Sequence, residues 1–343
     1  MPKFKGLATG IGSLPYTNAD EALDLIFKYV PYIPFWPQLP KRDIREGMVA
    51  QFSEKLPCLR ITQEGLAFDA LQRDKELEVF YERVITNDIN YFSISEGFAE
   101  GLHKFYQRLE RANLKEADFI KLQVTGPFTF AASINDDKGI ALLHDKELTQ
   151  VILNGLIMKA NWQINLFKKF SKKMIIFIDE PYLACFGSAY TPINRDDIFK
   201  VLTELTEGIK SQDILIGIHC CGNTDWSIFT DVGAIDIISF DAFSFQERFV
   251  LYAKDLKDFL QRGGIICWGI VPTQEFLGTE TAQSLTEKLS SGIDALAKKG
   301  LDRELLLNSL FISPSCGLGT LDTQKSEKIF ELLAQAASLI KNS

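Results

Sequence analysis

One histidine and two cysteines define the chemistry this sequence could carry. His219 and Cys221 are separated by a single residue, and Cys316 follows far along the chain in Ser315-Cys316-Gly317. Imidazole and thiolate are ligands that zinc takes in tetrahedral sets. Asp241 could supply a fourth, oxygen ligand. The competing reading is a group of buried thiols, since cysteine is among the most buried residue types. Cys220 alternates away from its neighbours and reads as core. The six cysteines, at 58, 185, 220, 221, 267 and 316, show no evenly paired framework. Buried thiols or metal ligands in a reducing cytosol fit them better than disulfides.

Carboxylates form a second group. Asp179-Glu180-Pro181 ends the run Met174-Ile175-Ile176-Phe177-Ile178. A carboxylate just past a buried strand faces a pocket mouth, where it could hold an ammonium group or act as acid or base. Both Asp179 and Glu180 are therefore expected catalytic residues, although a helix cap or a salt bridge would use the same positions. Gly12-Ser13 and Thr125-Gly126-Pro127 offer hydroxyls and backbone N–H groups that could bind a substrate carboxylate, or simply turn the chain.

Short apolar runs alternating with helical patterns must position these groups. Strands are expected at 7–12, 33–36, 120–125, 174–179, 214–219, 235–240, 264–269 and 307–312. Several are unbroken apolar stretches, as strands buried on both faces require. Apolar spacing of three and four residues predicts helices at 19–29, 145–170, 195–210, 246–262, 281–299 and 323–341. A brief helix is expected within 225–233. Eight βα repeats point to an α/β protein, a (β/α)₈ TIM barrel formed as a single domain over 1–343; a doubly wound open sheet is the alternative. Residues 37–119 exceed one crossover and read as a helical insertion between the second and third strands, with helices at 77–84 and 98–112. In such a barrel the site lies at the carboxyl ends of the strands, where the chemical groups above fall.

Composition narrows the partners. With 46% apolar residues the chain can bury a large core, and its net charge of −8 with no long basic run argues against nucleic acid. Residues 1–12 show no signal pattern and no apolar run reaches the ~18 residues of a membrane span, so a cytoplasmic protein with no membrane partner is expected.

Taken jointly, Ile11-Gly12-Ser13, Met48-Val49 with Phe52, Thr125-Gly126-Pro127, Ile178-Asp179-Glu180-Pro181, His219-x-Cys221, Asp236-Ile237-Ile238 leading to Asp241, and Cys316-Gly317-Leu318 resemble the catalytic carboxyl-terminal barrel of cobalamin-independent methionine synthase, within the uroporphyrinogen-decarboxylase-like superfamily. The resemblance covers nearly the whole chain. It implies a zinc-dependent methyltransferase that acts on a small, homocysteine-like thiol in methionine biosynthesis. It also implies that zinc is held by His219, Cys221, Asp241 and Cys316, and the amino acid by Ile11, Gly12, Ser13 and Asp179. The family usually has Glu where Asp241 stands. Other departures bear on the donor. No histidine follows His219, where the family has the acid that protonates the departing folate. Ser133 stands where a folate-stacking tryptophan is expected, and Arg42 where an acidic residue binds the ammonium, with Asp43 and Glu46 nearby. These departures favour a methylated corrinoid protein over methyltetrahydrofolate as donor. A metal-independent decarboxylase of the same superfamily and a non-catalytic zinc-binding protein are the alternatives.

Overall fold

In the computed structural model, residues 4–111, 115–188 and 193–342 are described. The elements run β1 (Leu7–Ala8), α1 (Ala19–Tyr29), β2 (Leu59–Thr62), β3 (Gly65–Phe68), α2 (Arg73–Ile85), α3 (Glu100–Arg111), β4 (Phe119–Thr125), α4 (Pro127–Ala132), α5 (Lys146–Phe167), β5 (Lys173–Asp179) and α6 (Arg195–Ile209). There follow β6 (Ile214–Cys220), α7 (Trp226–Asp231), β7 (Ile237–Phe240), α8 (Ala242–Phe249), α9 (Ala253–Gln261), β8 (Ile265–Val271), α10 (Ala282–Lys298), α11 (Arg303–Asn308), β9 (Leu310–Pro314) and α12 (Thr323–Asn342).

Seven strands form one parallel sheet in the order β1-β9-β8-β7-β6-β5-β4. From Met174 onward every residue of β5 is buried, so side chains of both faces sit in apolar surroundings. Alternation sorts them into two cores. One face gathers Ile33, Phe119, Ile175, Phe177, Ile237, Ile265, Cys267 and Phe311. The other, with Ile176, Ile178, Ile216, Ile218 and Ile266, packs under the helices.

The expected strand at 33–36 is not a regular one. Pro34 and Pro37 lack the N–H groups a ladder needs. Even so, the segment makes a parallel bridge at Phe35 to Lys121 on one side and at Gln38 to Ser13 on the other. Lys121 N donates to Pro34 O (2.9 Å), Gln38 N to Gly12 O (3.1 Å) and Leu14 N to Gln38 O (2.9 Å). Three further expectations shift. The helix expected over 246–262 is two, and it starts earlier because the Asp241 side chain accepts from Ser244 N and begins α8. The last strand starts at Leu310, because the apolar residues before it close α11. The first regular strand ends at Ala8 rather than at residue 12.

Residues 37–119 hold α2 and α3 as expected, together with an antiparallel hairpin of β2 and β3 that helical periodicity does not reveal. Ala112, the last residue of the helix expected over 98–112, lies outside the described residues. Two contacts within this segment hold α3 against its first residues. Gly101 on α3 sits so close to the Pro37 turn that a Cβ there would lie 2.0 Å from Pro37 O. Buried Glu46 accepts from Leu39 N (3.2 Å), Glu100 N (3.3 Å) and Arg42 Nη1 (2.6 Å), while Arg42 also pairs with Glu100. No described helix is long and apolar enough to cross a membrane.

Gly101→Ala should therefore destabilise the protein by ~1–3 kcal/mol, since overpacking against a fixed carbonyl outweighs the helix-propensity gain. Urea unfolding checks this, and an unchanged or raised midpoint would contradict it. Burial, opposed by Arg42, raises the Glu46 carboxyl from 4.5 to about 7. The folded state thus binds the extra proton between those pH values, and stability falls as pH rises through the window. The stability difference between the parent and Glu46→Gln should drop across it by up to ~1.4 kcal/mol per pH unit. A pH-independent difference would contradict the assignment.

Candidate metal centre

Parallel pairing in register places one row of side chains across the sheet. Thr125 pairs with Asp179, Asp179 with His219, His219 with Ser239, and Ser239 with Cys267. They share the face of the inner core and, for β4, β5 and β6, stand at the carboxyl ends. His219 and Asp179 are almost wholly buried.

Next to this row the chain brings in two thiols. Cys221 follows β6 by one residue, and Cys316 lies just past β9. A ring nitrogen of His219 and the sulfurs of Cys221 and Cys316 lie within 4.8 Å of one another. His219 Nδ1 is engaged with Ser239 Oγ at 2.9 Å. Nε2 is buried and has no hydrogen-bond partner among the described residues, and the same is true of Asp179 Oδ1. Leaving such groups unpaired costs on the order of 1–3 kcal/mol each, so two of them on register partners mark a place built for something else. Cys221 is held below the usual thiol range, foremost because the Cys316 thiol hydrogen-bonds it and then because His219 lies beside it. Cys316, as the donor of that pair, is raised. A nitrogen with no hydrogen-bond partner and two thiols fit the donor set of a zinc ion.

The neighbouring loop fixes Cys316. Leu318 N donates to Ser13 O (2.9 Å) and Gly319 N to Ser13 Oγ (3.3 Å). A Cβ on Gly317 would lie 2.2 Å from Ser13 Oγ, so a side chain there would have to displace the hydroxyl that accepts from Gly319 N. The chain after β1 and the chain after β9 are thereby joined, which holds the distant cysteine beside the His-x-Cys pair.

The remaining expected residues divide. Asp241 is not in the three-residue group, since its Oδ1 accepts from Ser244 N at 2.9 Å and caps α8. Burial raises its carboxyl and nearby Cys221 adds to this, so it stands at the edge of the site. Glu180 is committed elsewhere. It accepts from Phe128 N (2.9 Å), Thr129 N (2.9 Å) and Thr129 Oγ (2.6 Å), holding the start of α4. These bonds engage both of its carboxylate oxygens. Burial pushes Glu180 up to about 7 despite those bonds. Burial also raises Asp179, while His219 and Lys121 act against it. Ile11 O accepts from Lys121 Nζ (2.7 Å) and Gly12 O from Gln38 N (3.1 Å), so these two carbonyls are occupied by the protein. Cys220 lies in the outer core with its thiol pushed up to about 12 by burial.

Two residues escaped the sequence reading. Lys121 is fully buried in the inner core, 4.4 Å from the Phe177 ring centroid, and burial lowers it to about 8, opposed by Asp179. Ser239 holds the histidine. The available signal was alternation: Lys121, Gln123 and Thr125 are polar at every second position of an otherwise apolar strand.

No family model and no curated protein matches this chain. Among solved structures it is similar to a B12-independent methionine synthase from Shewanella sp. W3-18-1 in complex with selenomethionine. The two are 18% identical over 70% of this chain and 66% of that one, with a TM-score of 0.48. It is also similar to a putative vitamin-B12-independent methionine synthase from Listeria monocytogenes, 16% identical over 80% of this chain and 89% of that one, with a TM-score of 0.46. The chain spans just under two thirds of the Shewanella protein.

Proposed function

We propose that this chain is a zinc-dependent methyltransferase whose acceptor is a small, homocysteine-like thiol. One observation carries the reading: ligand atoms of His219, Cys221 and Cys316 converge within 4.8 Å, and His219 is the register partner of Asp179, whose buried Oδ1 is unpaired. Within the same proposal the sheet is the larger part of a (β/α)₈ barrel forming one domain over 1–343. The segment 33–38, bridged on both sides, closes it, and 37–119 is an insertion.

His219, Cys221 and Cys316 would hold the metal. When bound, zinc favours the thiolate form of a coordinated thiol at neutral pH. With Asp241 capping α8, a zinc held by these three residues would have room for the acceptor sulfur, as catalytic rather than structural sites do. Turning Asp241 from its cap would convert the set to four protein ligands. Asp179 accepts the ammonium group of the amino acid, which supplies the partner its Oδ1 lacks. Ser13 and the backbone of Ile11 and Gly12 would hold the carboxylate of the amino acid. Burial of Asp179 and His219 would strengthen each charged contact they make.

The donor proposed is a methylated corrinoid protein. Methyl transfer forms a carbon–sulfur bond from a thiolate lone pair, and the electron pair of the broken bond leaves with the donor group. A folate amine leaving in this way needs an acid, worth roughly 10²–10⁴-fold. At the end of β8 stand Trp268, Gly269, Ile270 and Val271, none of which titrates. Ser133, in place of the expected aromatic platform, donates to Thr129 O at 2.6 Å. A corrinoid leaving group needs neither acid nor platform.

Purified protein should bind about one zinc per chain, and Cys221→Ser or Cys316→Ala should lose it while unfolding at nearly the parental temperature. Full zinc in both variants would overturn the metal assignment. Zinc with no spectral response to any thiol would favour a non-catalytic zinc protein, and absence of zinc would favour the decarboxylase. Methylcobalamin and methyltetrahydrofolate should be compared as donors to a thiol panel in cobalamin-free protein. Turnover with the folate alone would overturn the donor. Asp179→Asn should keep zinc but weaken homocysteine binding by about 10–100-fold, as expected for a lost hydrogen bond to a charged group. Unchanged binding by calorimetry would remove Asp179 from the acceptor site.

A further inference from the structure

Among the described residues two lysines are fully buried, Lys159 in α5 and Lys121 in β4. Lys121 alternates with Gln123 and Thr125 and so stands on the sheet face that carries the row of site residues. Its Nζ lies 4.4 Å from the centroid of the Phe177 ring and 5.5 Å from that of Phe35. An amine in such surroundings costs free energy unless it is engaged, and an apolar side chain of the same length would fill the place more cheaply. The stability of the sheet therefore does not explain a lysine here. Its hydrogen bonds point to another role, because Nζ donates to Ile11 O at 2.7 Å and, at the longer distance of 3.4 Å, to Gln123 Oε1.

The chain around Ile11 lies past the regular ladder. Pairing of β1 with β9 reaches Ala8 and Ile312, and β9 ends at Pro314, which has no N–H to carry it further. On the other side the neighbour is the irregular segment 33–38, bridged to Ser13 at Gln38 and to Lys121 at Phe35. Lys121 thus belongs to the strand beyond that segment, and its side chain spans the segment to reach Ile11. From Ile11 the path to the thiols is short. Ser13 O accepts from Leu318 N (2.9 Å) and Ser13 Oγ from Gly319 N (3.3 Å), and these donors follow Cys316 by two and three residues. Lys121 itself makes no described hydrogen bond with His219, Cys221 or Cys316.

We propose that Lys121 is a positioning residue: it holds the Ile11 carbonyl and, through the Ile11–Ser13 segment, sets Cys316 in place beside His219 and Cys221. Its purpose rests on the metal reading above, but the mechanical link does not. Without the amine the segment loses its anchor to the Lys121 side chain while keeping its bonds to the loop after Cys316. Segment and loop can then shift together and carry Cys316 away from its partners.

The test uses the full chain and Lys121→Met, which keeps the length of the side chain and removes the donor. This variant should unfold at the parental temperature or above, because a buried amine is exchanged for an apolar group. Its zinc affinity, measured by competition with a chromophoric chelator, should fall by about 10–100-fold, as for other groups that orient metal ligands from behind. A second readout needs no metal. In chelator-treated protein dibromobimane bridges thiols that lie close together, and peptide mapping identifies them. Cys221 and Cys316 should be bridged readily in the parent and far less in Lys121→Met. Lys121 also acts to lower the Asp179 carboxyl by its charge. Loss of that effect would not alter the bridging of two cysteines, so bridging separates positioning from electrostatics. Ser13→Ala weakens the same path at its other end by deleting the acceptor of Gly319 N. The fold-loss of zinc affinity in the double variant should therefore fall short of the product of the two single losses. Absence of bridging in the parent, unchanged bridging or zinc affinity in Lys121→Met, or a double loss equal to that product would each overturn the proposal. If Lys121→Met does not fold, Lys121→Gln, whose amide ends one bond short of the amine, takes its place with the same expectations for zinc and bridging. Failure of both to fold would make Lys121 part of the frame and also overturn it. A parent without zinc would sink the metal reading, while bridging and unfolding would still decide this one.

Discussion

The site depends on the register of a parallel sheet. Pairing in step sets Thr125, Asp179, His219, Ser239 and Cys267 side by side on one face, each strand contributing a single residue to the row. Parallel strands are joined by evenly spaced bonds, and side chains alternate with a period of two. A slip of one residue on any of these strands would turn its member of the row toward the helices. The apolar cost of that slip is large, because Ile176, Ile178, Ile216, Ile218 and Ile266 would be carried into the inner core at the same time. Hydrophobic sorting of the isoleucines thus enforces the alignment of the polar residues.

On this base two kinds of polar group coexist. Some are saturated. Glu180 spends its carboxylate on the first turn of α4, Glu46 gathers two backbone N–H groups and Arg42, and Lys121 is held against Ile11 O. Others are left without partners, among them His219 Nε2 and Asp179 Oδ1, which belong to register partners on adjacent strands. Buried polar groups are almost always satisfied in folded proteins. The saturated residues lock the frame, and the unpaired ones indicate where a ligand belongs. Glu180 shows why proximity to a strand end is not enough. It follows Asp179 directly, yet alternation turns it to the side where α4 begins.

A parallel logic separates the cysteines. Cys220 and Cys267 lie within regular strands and are packed into opposite cores, whereas Cys221 and Cys316 lie just past strand ends. The close fit of Gly317 against Ser13 and the bonds from Leu318 and Gly319 bring the last strand's loop onto the first. Residues separated by most of the chain's length are therefore held as firmly as neighbours.

The sequence by itself determined the alternation of strands and helices, most strand positions, and the group of His219, Cys221 and Cys316, because unbroken apolar runs and rare ligand residues at strand ends are local signals. It could not decide which polar residue at a strand end is spent on the frame. Asp241 and Glu180 look like ligand and acid in one dimension, and only the start of α8 and of α4 beside them shows that they cap helices. The hairpin of β2 and β3 and the bridged segment 33–38 also needed the tertiary structure. Their strand character comes from partners distant in sequence, and prolines mask it locally. The same holds for Ser239: a serine inside an apolar strand is unremarkable until register sets it against the histidine of the next strand.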